Sequence, residues 1–576
     1  MHALLSRVRT AAAQARRLIG ALSLSDGRIK RARLQLVVAV FAIAYAVIAG
    51  RLVLFGVQHE SHLARRAHSE AVASARPDIL DRAGRVLATD VRAASLYAEP
   101  RRIIDPDEAI DQIGAVLPDL DVGEARERLA SKRGFVWLKR EITPRQQSAI
   151  YRLGLPGVGF LTENKRSYPG GPLAAHVLGQ VNIDNAGIAG LEKWIDARGL
   201  ADLHLAGLAT ARTLEPIELA LDLAVQHAVR DELAAAREHF KANAATGLVL
   251  DVRSGEIIAM VSLPDYDPNR SGKSSDPARL NRLTTGVFEM GSTFKALTVA
   301  MALDSGKATL ASQFDAREPL KFGGHTINDF HGQRRLLTVP EVFTYSSNIG
   351  AARMALAVGV EGHRAFLKKM GQLDRLRTEL PESAEPLKPK VWSEVSTATI
   401  AFGHGLSVAP LQSVMATAAL VNGGLLIPPT LLRRSEAEAK KLAVRVIKPE
   451  TSDTMRYLLR LNAEKGTAKA AEVPGYYVGG KTGTSEKVVR GRYVKNKVLT
   501  VFMGVFPCDA PRYLVLVMLD EPQRTPDSRG QATAGVNAAP TTGKIIARIA
   551  PLLGVAPRLD LPAADRMLLV SRRAAN

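Results

Sequence analysis

An uncharged run, Leu36 to Gly50, stands directly behind a strongly basic tail and divides the chain before any other feature does. Arg7, Arg9, Arg16, Arg17, Arg28, Lys30, Arg31 and Arg33 face a single acid, Asp26, in that tail. Beyond Arg51 the chain stays apolar through Leu52-Val53-Leu54-Phe55. As a helix, residues 34–57 would reach about 36 Å, enough for a hydrocarbon layer of ~30 Å. Arg51 would lie near the far end, where its long stem can carry the charge to the interface. The basic flank predicts a cytoplasmic N-terminus, with everything after about residue 58 outside. A cleaved signal peptide fits less well, because the nearest small-residue site, Ala73-Ser74-Ala75, lies too far downstream.

The 576 residues leave room for several domains, and 46% hydrophobic with 23% charged residues is an ordinary globular balance. One cysteine, Cys508, excludes an intramolecular disulfide and a multi-cysteine zinc site. It falls in Phe506-Pro507-Cys508-Asp509-Ala510-Pro511, which reads as a turn thiol with no catalytic role. The net charge of +20 is partly the tail. The remainder suits anionic wall material or lipid head groups. A domain placed outside the cytoplasm excludes nucleic acid as a partner.

From about 60 to 215 no strong periodicity appears. Arg76-Pro77-Asp78-Ile79-Leu80-Asp81-Arg82-Ala83-Gly84, followed by Val86-Leu87-Ala88, reads as strand, turn and strand. Arg166-Ser167-Tyr168-Pro169, His176, Gly179, Gly187 and Gly190-Leu191-Glu192 form a second patch. Asp81, His176 and Glu192 are read as structural hydrogen-bonding groups, and no histidine pair here has metal-ligand spacing. A new domain opens near Leu219-Ala220-Leu221-Asp222, with a helix from about Leu223 to about Ala242 capped by Asp222. Thr246–Asp251 with Ile257–Val261, and Lys497–Val505 with Tyr513–Met518, predict two β-hairpins. A helix around Thr542 to Ala550 closes the domain, and Arg433 to Lys441 reads as a solvated helix. Strands at both ends with helices between predict an α/β (α+β) domain, an antiparallel sheet flanked by a helical cluster.

Three short stretches carry chemistry. In Phe288-Glu289-Met290-Gly291-Ser292-Thr293-Phe294-Lys295, an entry turn leads into a helix that Ser305-Gly306 stops. One helical turn sets Ser292 and Lys295 on the same face. A serine hydroxyl is a poor nucleophile near neutral pH without a base, and a lysine kept uncharged can be that base. Alone the spacing carries little weight in a chain this long. Ser346-Ser347-Asn348 and Lys481-Thr482-Gly483-Thr484 follow in order, and the three together are the signature of penicillin-binding proteins and serine β-lactamases.

Over nearly its whole length the chain resembles a class B penicillin-binding protein, a membrane-anchored peptidoglycan transpeptidase, and within that family is most similar to the cell-division (septal) enzyme. Arg76 to Ala88 and Arg166 to Glu192 resemble the family's N-terminal module. Phe402-Gly403-His404-Gly405 with Pro410-Leu411-Gln412 resembles a stretch of its transpeptidase domain. Met290 stands where proline is usual, and Pro77 where many relatives have glycine; neither removes a reacting group.

The resemblance implies a cytoplasmic tail (1–33), a transmembrane anchor (34–57), an elongated dimerisation-type pedestal (58–215), a serine β-lactamase-like transpeptidase domain (216–560) and a tail (561–576). It implies that Ser292 attacks the penultimate D-alanine carbonyl of a stem peptide, with Lys295 as base and its pKa depressed by desolvation and Lys481. Ser346 would relay the proton to the leaving amine and Asn348 would hold the substrate amide. Lys481, Thr482 and Thr484, on an edge strand, would bind the substrate carboxylate. Gly483 would let the acyl chain lie against that strand, and the Ser292 and Thr484 N–H groups would form an oxyanion hole. It implies no metal or organic cofactor, covalent inhibition by β-lactams, an inner-membrane location with the catalytic domain periplasmic, and a partner glycan polymerase and other divisome proteins, met partly through 34–57 within the lipid. A β-lactamase would lack the N-terminal module, a β-lactam sensor would need a signalling domain, and a passive scaffold would not need Ser292 and Lys295. The elongation-specific transpeptidase is the nearest competitor.

Overall fold

The structure, a computed structural model, describes residues 37–51, 76–200, 214–270, 272, 275–322, 324–526, 528, 530–560 and 563–564. Of the expected anchor, 37–51 are helical with Phe41, Ile43 and Tyr45 exposed. The tail 1–33 and residues 34–36 and 52–57 lie outside the described residues, as do 561–562 and 565–576. Among the described residues no helix is long and apolar enough to cross a membrane.

The segment from 76 onward opens as the turn chemistry requires. Gly84 takes φ +78 between the strands Ile79–Leu80 and Val86–Ala98, a left-handed conformation that costs glycine little. Val86–Ala98 is the spine of this module, pairing antiparallel with Ile79–Leu80, Val136–Ile142 and Val158–Ser167. Ile217–Glu218, beyond the expected boundary at 215, adds a parallel partner to Ile79–Leu80. Helices Pro106–Val116 and Val122–Ala130, capped by Asp105 and Asp121, bury Ile110, Ile113, Leu117 and Leu129 against Leu96, Val136 and Leu138. No periodic signal appears here because the helices are short and the long strand is exposed around Val91 and Arg92 but buried on either side.

A charged cluster ties this sheet to the helix Gly190–Ile195. Glu192, fully buried, accepts from Arg76 Nε and Arg166 Nε, both at 2.7 Å. Arg166 also donates to Asp90 and to the Pro77 carbonyl, and Arg76 to the Asn185 carbonyl and Asp196. Asp81 accepts Ala83 N–H, Arg85 N–H and Leu223 N–H. Burial alone would raise its pKa, but these bonds and the Arg85 side chain hold it below the usual value. His176 Nε2 sits 2.7 Å from the Ala278 carbonyl. All three acids and bases singled out in the sequence serve packing here.

In the C-terminal domain Asp222 caps the helix Leu223–His239 through Ala224 N–H and Val225 N–H. Both expected hairpins form, as Ala244–Asp251 with Ile257–Leu263 and Arg492–Phe506 with Tyr513–Asp520. They join Gly479–Val489 in one antiparallel sheet, in the order Gly479–Val489, Arg492–Phe506, Tyr513–Asp520, Ala244–Asp251, Ile257–Leu263. Period-two alternation divides its faces. Val249, Phe502, Val515 and Val517 pack on Leu223–His239 and the helix Ala538–Leu552. Leu248, Leu250, Val501, Met503, Leu514 and Leu516 turn the other way, toward a cluster containing Phe294, Leu297, Val414 and Leu458. That cluster is built from Lys295–Asp304, Asn348–Val358, the wholly buried Pro410–Val421, and Pro449–Lys465.

Two local expectations change. Cys508 is a buried core thiol whose Sγ donates to the Arg456 carbonyl, and burial pushes its pKa up to about 12. The basic stretch at 433–441 is helical only from Glu436, behind a Ser435 cap. Arg433 and Arg434 precede it and bind Glu256 instead.

Candidate active site

A 3₁₀ turn, Gly291–Phe294, runs straight into the helix Lys295–Asp304. Thr293 Oγ1 donates to the Met290 carbonyl at 2.7 Å and fixes the turn. Lys295 Nζ then lies 2.9 Å from Ser292 Oγ, 3.0 Å from Ser346 Oγ, 2.8 Å from Asn348 Oδ1 and 2.5 Å from the Ser346 carbonyl. Lys481 Nζ reaches the same Ser346 Oγ at 3.0 Å, so one hydroxyl bridges the two amines. Ser346 holds it there at φ +56, a conformation that a non-glycine residue keeps only when its surroundings impose it.

Both lysines are buried. Desolvation lowers the pKa of Lys295 well below the ordinary lysine value, the nearby Lys481 lowers it further, and Asp329 works against both. Burial brings Lys481 down to about 7. An amine in this state can take a proton from the hydroxyl beside it, which an exposed lysine could not do near neutral pH.

Lys481, Thr482, Gly483 and Thr484 lie on Gly479–Val489, which pairs on one side with Arg492–Phe506 and forms an edge of the sheet. Their edge position beside Ser292 matches the sequence expectation. The reason for Gly483 differs: a Cβ there would meet the Met290 carbonyl at 2.7 Å and Thr293 Cγ2 at 3.0 Å. Its missing side chain admits the nucleophile's own turn. Gly403, at φ +87, is packed harder, since a Cβ would come within 2.1 Å of the Gly291 carbonyl. Asn348 is held by its neighbours, with Oδ1 on Lys295 and Nδ2 donating to the Asn328 carbonyl at 2.9 Å.

Several groups at the site were not singled out as site residues from sequence. Thr482 Oγ1 donates to Thr467 Oγ1 at 2.7 Å, and Asn462 ties Thr467 N–H to the Gly480 carbonyl. Glu289 accepts from Gly405 N–H at 2.7 Å and from Tyr493 Oη at 3.0 Å, with its pKa raised by burial. The His404 ring stacks on Tyr493, with centroids 5.5 Å apart, and burial together with the Lys295 charge takes its pKa down to about 4. Glu289 was legible only as a neighbour of Ser292. Thr467 and Asn462 carry no spacing signal, because their link to the edge strand is made by the fold.

The description "Penicillin binding protein transpeptidase domain" matches residues 245–547, and "Penicillin-binding Protein dimerisation domain" matches 71–197. A Caulobacter vibrioides protein named "Probable peptidoglycan D,D-transpeptidase FtsI" is 41% identical over 86% of this chain and 84% of its own. The Neisseria gonorrhoeae protein named "Probable peptidoglycan D,D-transpeptidase PenA" is 33% identical over 92% and 94%. The crystal structure of penicillin-binding protein 3 from Mycobacterium tuberculosis, complexed with aztreonam, superposes with a TM-score of 0.64 at 24% identity, covering 85% of this chain and 98% of that one. With both domains on one polypeptide, the chain belongs to the class B penicillin-binding proteins.

Proposed function

We propose that this chain is a peptidoglycan D,D-transpeptidase of septal wall synthesis, with Ser292 as nucleophile and Lys295 as its base. The observation that carries the reading is the buried amine 2.9 Å from the Ser292 hydroxyl, its pKa lowered by desolvation and by Lys481. Ser292 Oγ attacks the carbonyl carbon of the penultimate D-alanine and its proton passes to Lys295. As the peptide C–N bond breaks, Ser346, between the two amines, returns a proton to the departing D-alanine. An amino group of a second stem peptide then attacks the ester, gives up a proton, and restores Ser292 as the cross-link forms. A β-lactam enters by the same first step, its ring C–N bond opening to leave a stable acyl-enzyme.

Lys481, Thr482 and Thr484 would hold the substrate carboxylate, and Gly483 keeps the strand close enough for the Ser292 and Thr484 N–H groups to face one oxyanion. Such donors contribute about 3 kcal/mol each. Asn348 would exchange its bond to Lys295 or Asn328 for one to the substrate amide. In this reading residues 34–57 anchor the chain in the inner membrane, 58–215 form a pedestal, and 216–560 work in the periplasm. A membrane-embedded glycan polymerase and other divisome proteins are its partners.

Full-length chain incubated with fluorescent penicillin is expected to carry a covalent label, and Ser292→Ala to lose it. A label persisting in the variant would put the nucleophile elsewhere. In cells, depletion is expected to give filaments, whereas round, swollen cells would assign the chain to elongation.

A further inference from the structure

The segment that follows the strand His325–Ile327 belongs to none of the three motifs, yet it bonds to Ser347 and Asn348 of the second and to Ile349 just beyond it. Asp329 Oδ2 accepts from Ser347 Oγ at 2.7 Å, and Oδ1 accepts from Ile349 N–H at 3.0 Å. The adjacent Asn328 carbonyl accepts from Asn348 Nδ2. Ser347 Oγ in turn accepts Gly350 N–H and so caps the helix Asn348–Val358. Ser347 N–H is tied to the Val342 carbonyl behind it. Ser346 is therefore held in its left-handed conformation by bonds on the residues that follow it, and the carboxylate of Asp329 supplies two of them, at Ser347 and Ile349. Around it His325, Thr326 and Phe330 are exposed, while Asp329 itself is half-buried.

We infer that Asp329 is a positioning residue for the transpeptidation chemistry: it braces Ser346 and Asn348 against Lys295 and, through Ser347, sets a negative charge behind the turn that contacts the amine. The inference rests on the reading of Ser292 and Lys295 given above. Bracing acts through geometry. Without it the 346–348 turn can relax, and the hydroxyl shared by Lys295 and Lys481 is no longer fixed between them.

The charge acts separately. Among the described residues the charged and titratable groups that act on Lys295 or feel its charge are Lys481, Asp329 and His404. Lys481 favours the free amine, while Asp329 favours the ammonium that forms when Ser292 gives up its proton. Asn at 329 keeps the shape: its carbonyl can accept from Ile349, and its amide can donate to Ser347 Oγ. It removes the charge alone.

The test measures second-order acylation of the full-length chain by fluorescent penicillin between pH 5 and 9, taken with melting temperature, for wild type, Ser292→Ala, Asp329→Ala and Asp329→Asn. Asp329→Ala is expected to slow acylation about ten- to a hundredfold at every pH. Asp329→Asn should keep its high-pH rate within about tenfold of wild type, while its acid limb moves to lower pH. That move follows because the free amine then persists further down the scale. A purely structural aspartate would change melting temperature and leave the limb in place. An Asp329→Asn profile superposing on wild type, or Asp329→Ala acylating at the wild-type rate, overturns the proposal while labelled wild type and unlabelled Ser292→Ala leave the active-site reading standing. If wild type takes no label, or Ser292→Ala keeps it, that reading falls and the proposal with it. Should Asp329→Ala not fold, the Asp329→Asn profile decides.

Discussion

Lys295→Ala is expected to lower the rate of β-lactam acylation by about 10⁴-fold, or roughly 5 kcal/mol of transition-state stabilisation. The size follows from what the amine does alone. Among the described residues it is the basic group within hydrogen-bond reach of Ser292 Oγ, and it also contacts Ser346 and Asn348. Removing it takes the base and the centre of the polar cluster in one step. Lys295→Arg separates the two roles: a guanidinium keeps a positive charge in the cluster but does not deprotonate in a protein, so it is expected to be nearly as slow. A fast Lys295→Arg variant would mean that charge, and not proton acceptance, is what the position supplies. In wild type the acid limb follows from the same geometry. The amine must be free, and its pKa is lowered by desolvation and by Lys481, so acylation should persist below the range of an ordinary lysine and fail as pH drops through the lowered value. Time courses of labelling across pH measure both effects.

The second large effect is on stability. Glu192→Ala is expected to destabilise the fold by about 3–5 kcal/mol, because it leaves Arg76 and Arg166 charged and buried without their carboxylate. Each guanidinium keeps some contacts, with Asp196 for Arg76 and Asp90 for Arg166, which limits the loss. Urea unfolding followed by tryptophan fluorescence reads the change in midpoint. Acylation of the folded fraction at low temperature should be close to wild type, since Glu192 touches no group of the 292, 346 or 481 clusters. A Glu192→Ala chain that is as stable as wild type would show that the two arginines find other partners.

What could be read from the residues, and what could not, divides by how far the information travels along the chain. Ser292 and Lys295 were legible because one helical turn fixes their relation. The two hairpins were legible because alternation of residues such as Leu248, Val249 and Leu250 is a local signal. Asp222 as a helix cap needed only its neighbours. Asp329 was not legible: an aspartate in an exposed stretch has many uses, and its bond to Ser347 exists only once the 325–329 excursion folds back on the helix. Thr467 behind Thr482 is a case of the same kind. Gly483 was marked from the motif, but the object filling its empty side is the turn at Met290, which depends on sheet and helix meeting. Arg166 and Glu192 stood out as a patch, and the fold supplied the reason, a shared buried charge. Residues 106–130 went unread because two short capped helices leave too few turns to establish a period.

The sheet ends on a strand, Gly479–Val489, with one side open, and an opening suited to a peptide is equally an invitation to the wrong one. A second copy of this polypeptide, or any partly unfolded neighbour, could lie down along the same row of backbone groups. Past the motif the hairpin carries Arg490, Arg492 and Lys495, all exposed. Like charges brought face to face oppose such lateral stacking. Three exposed cations at the tip of that hairpin would set a repulsion against a second copy laying its own tip alongside.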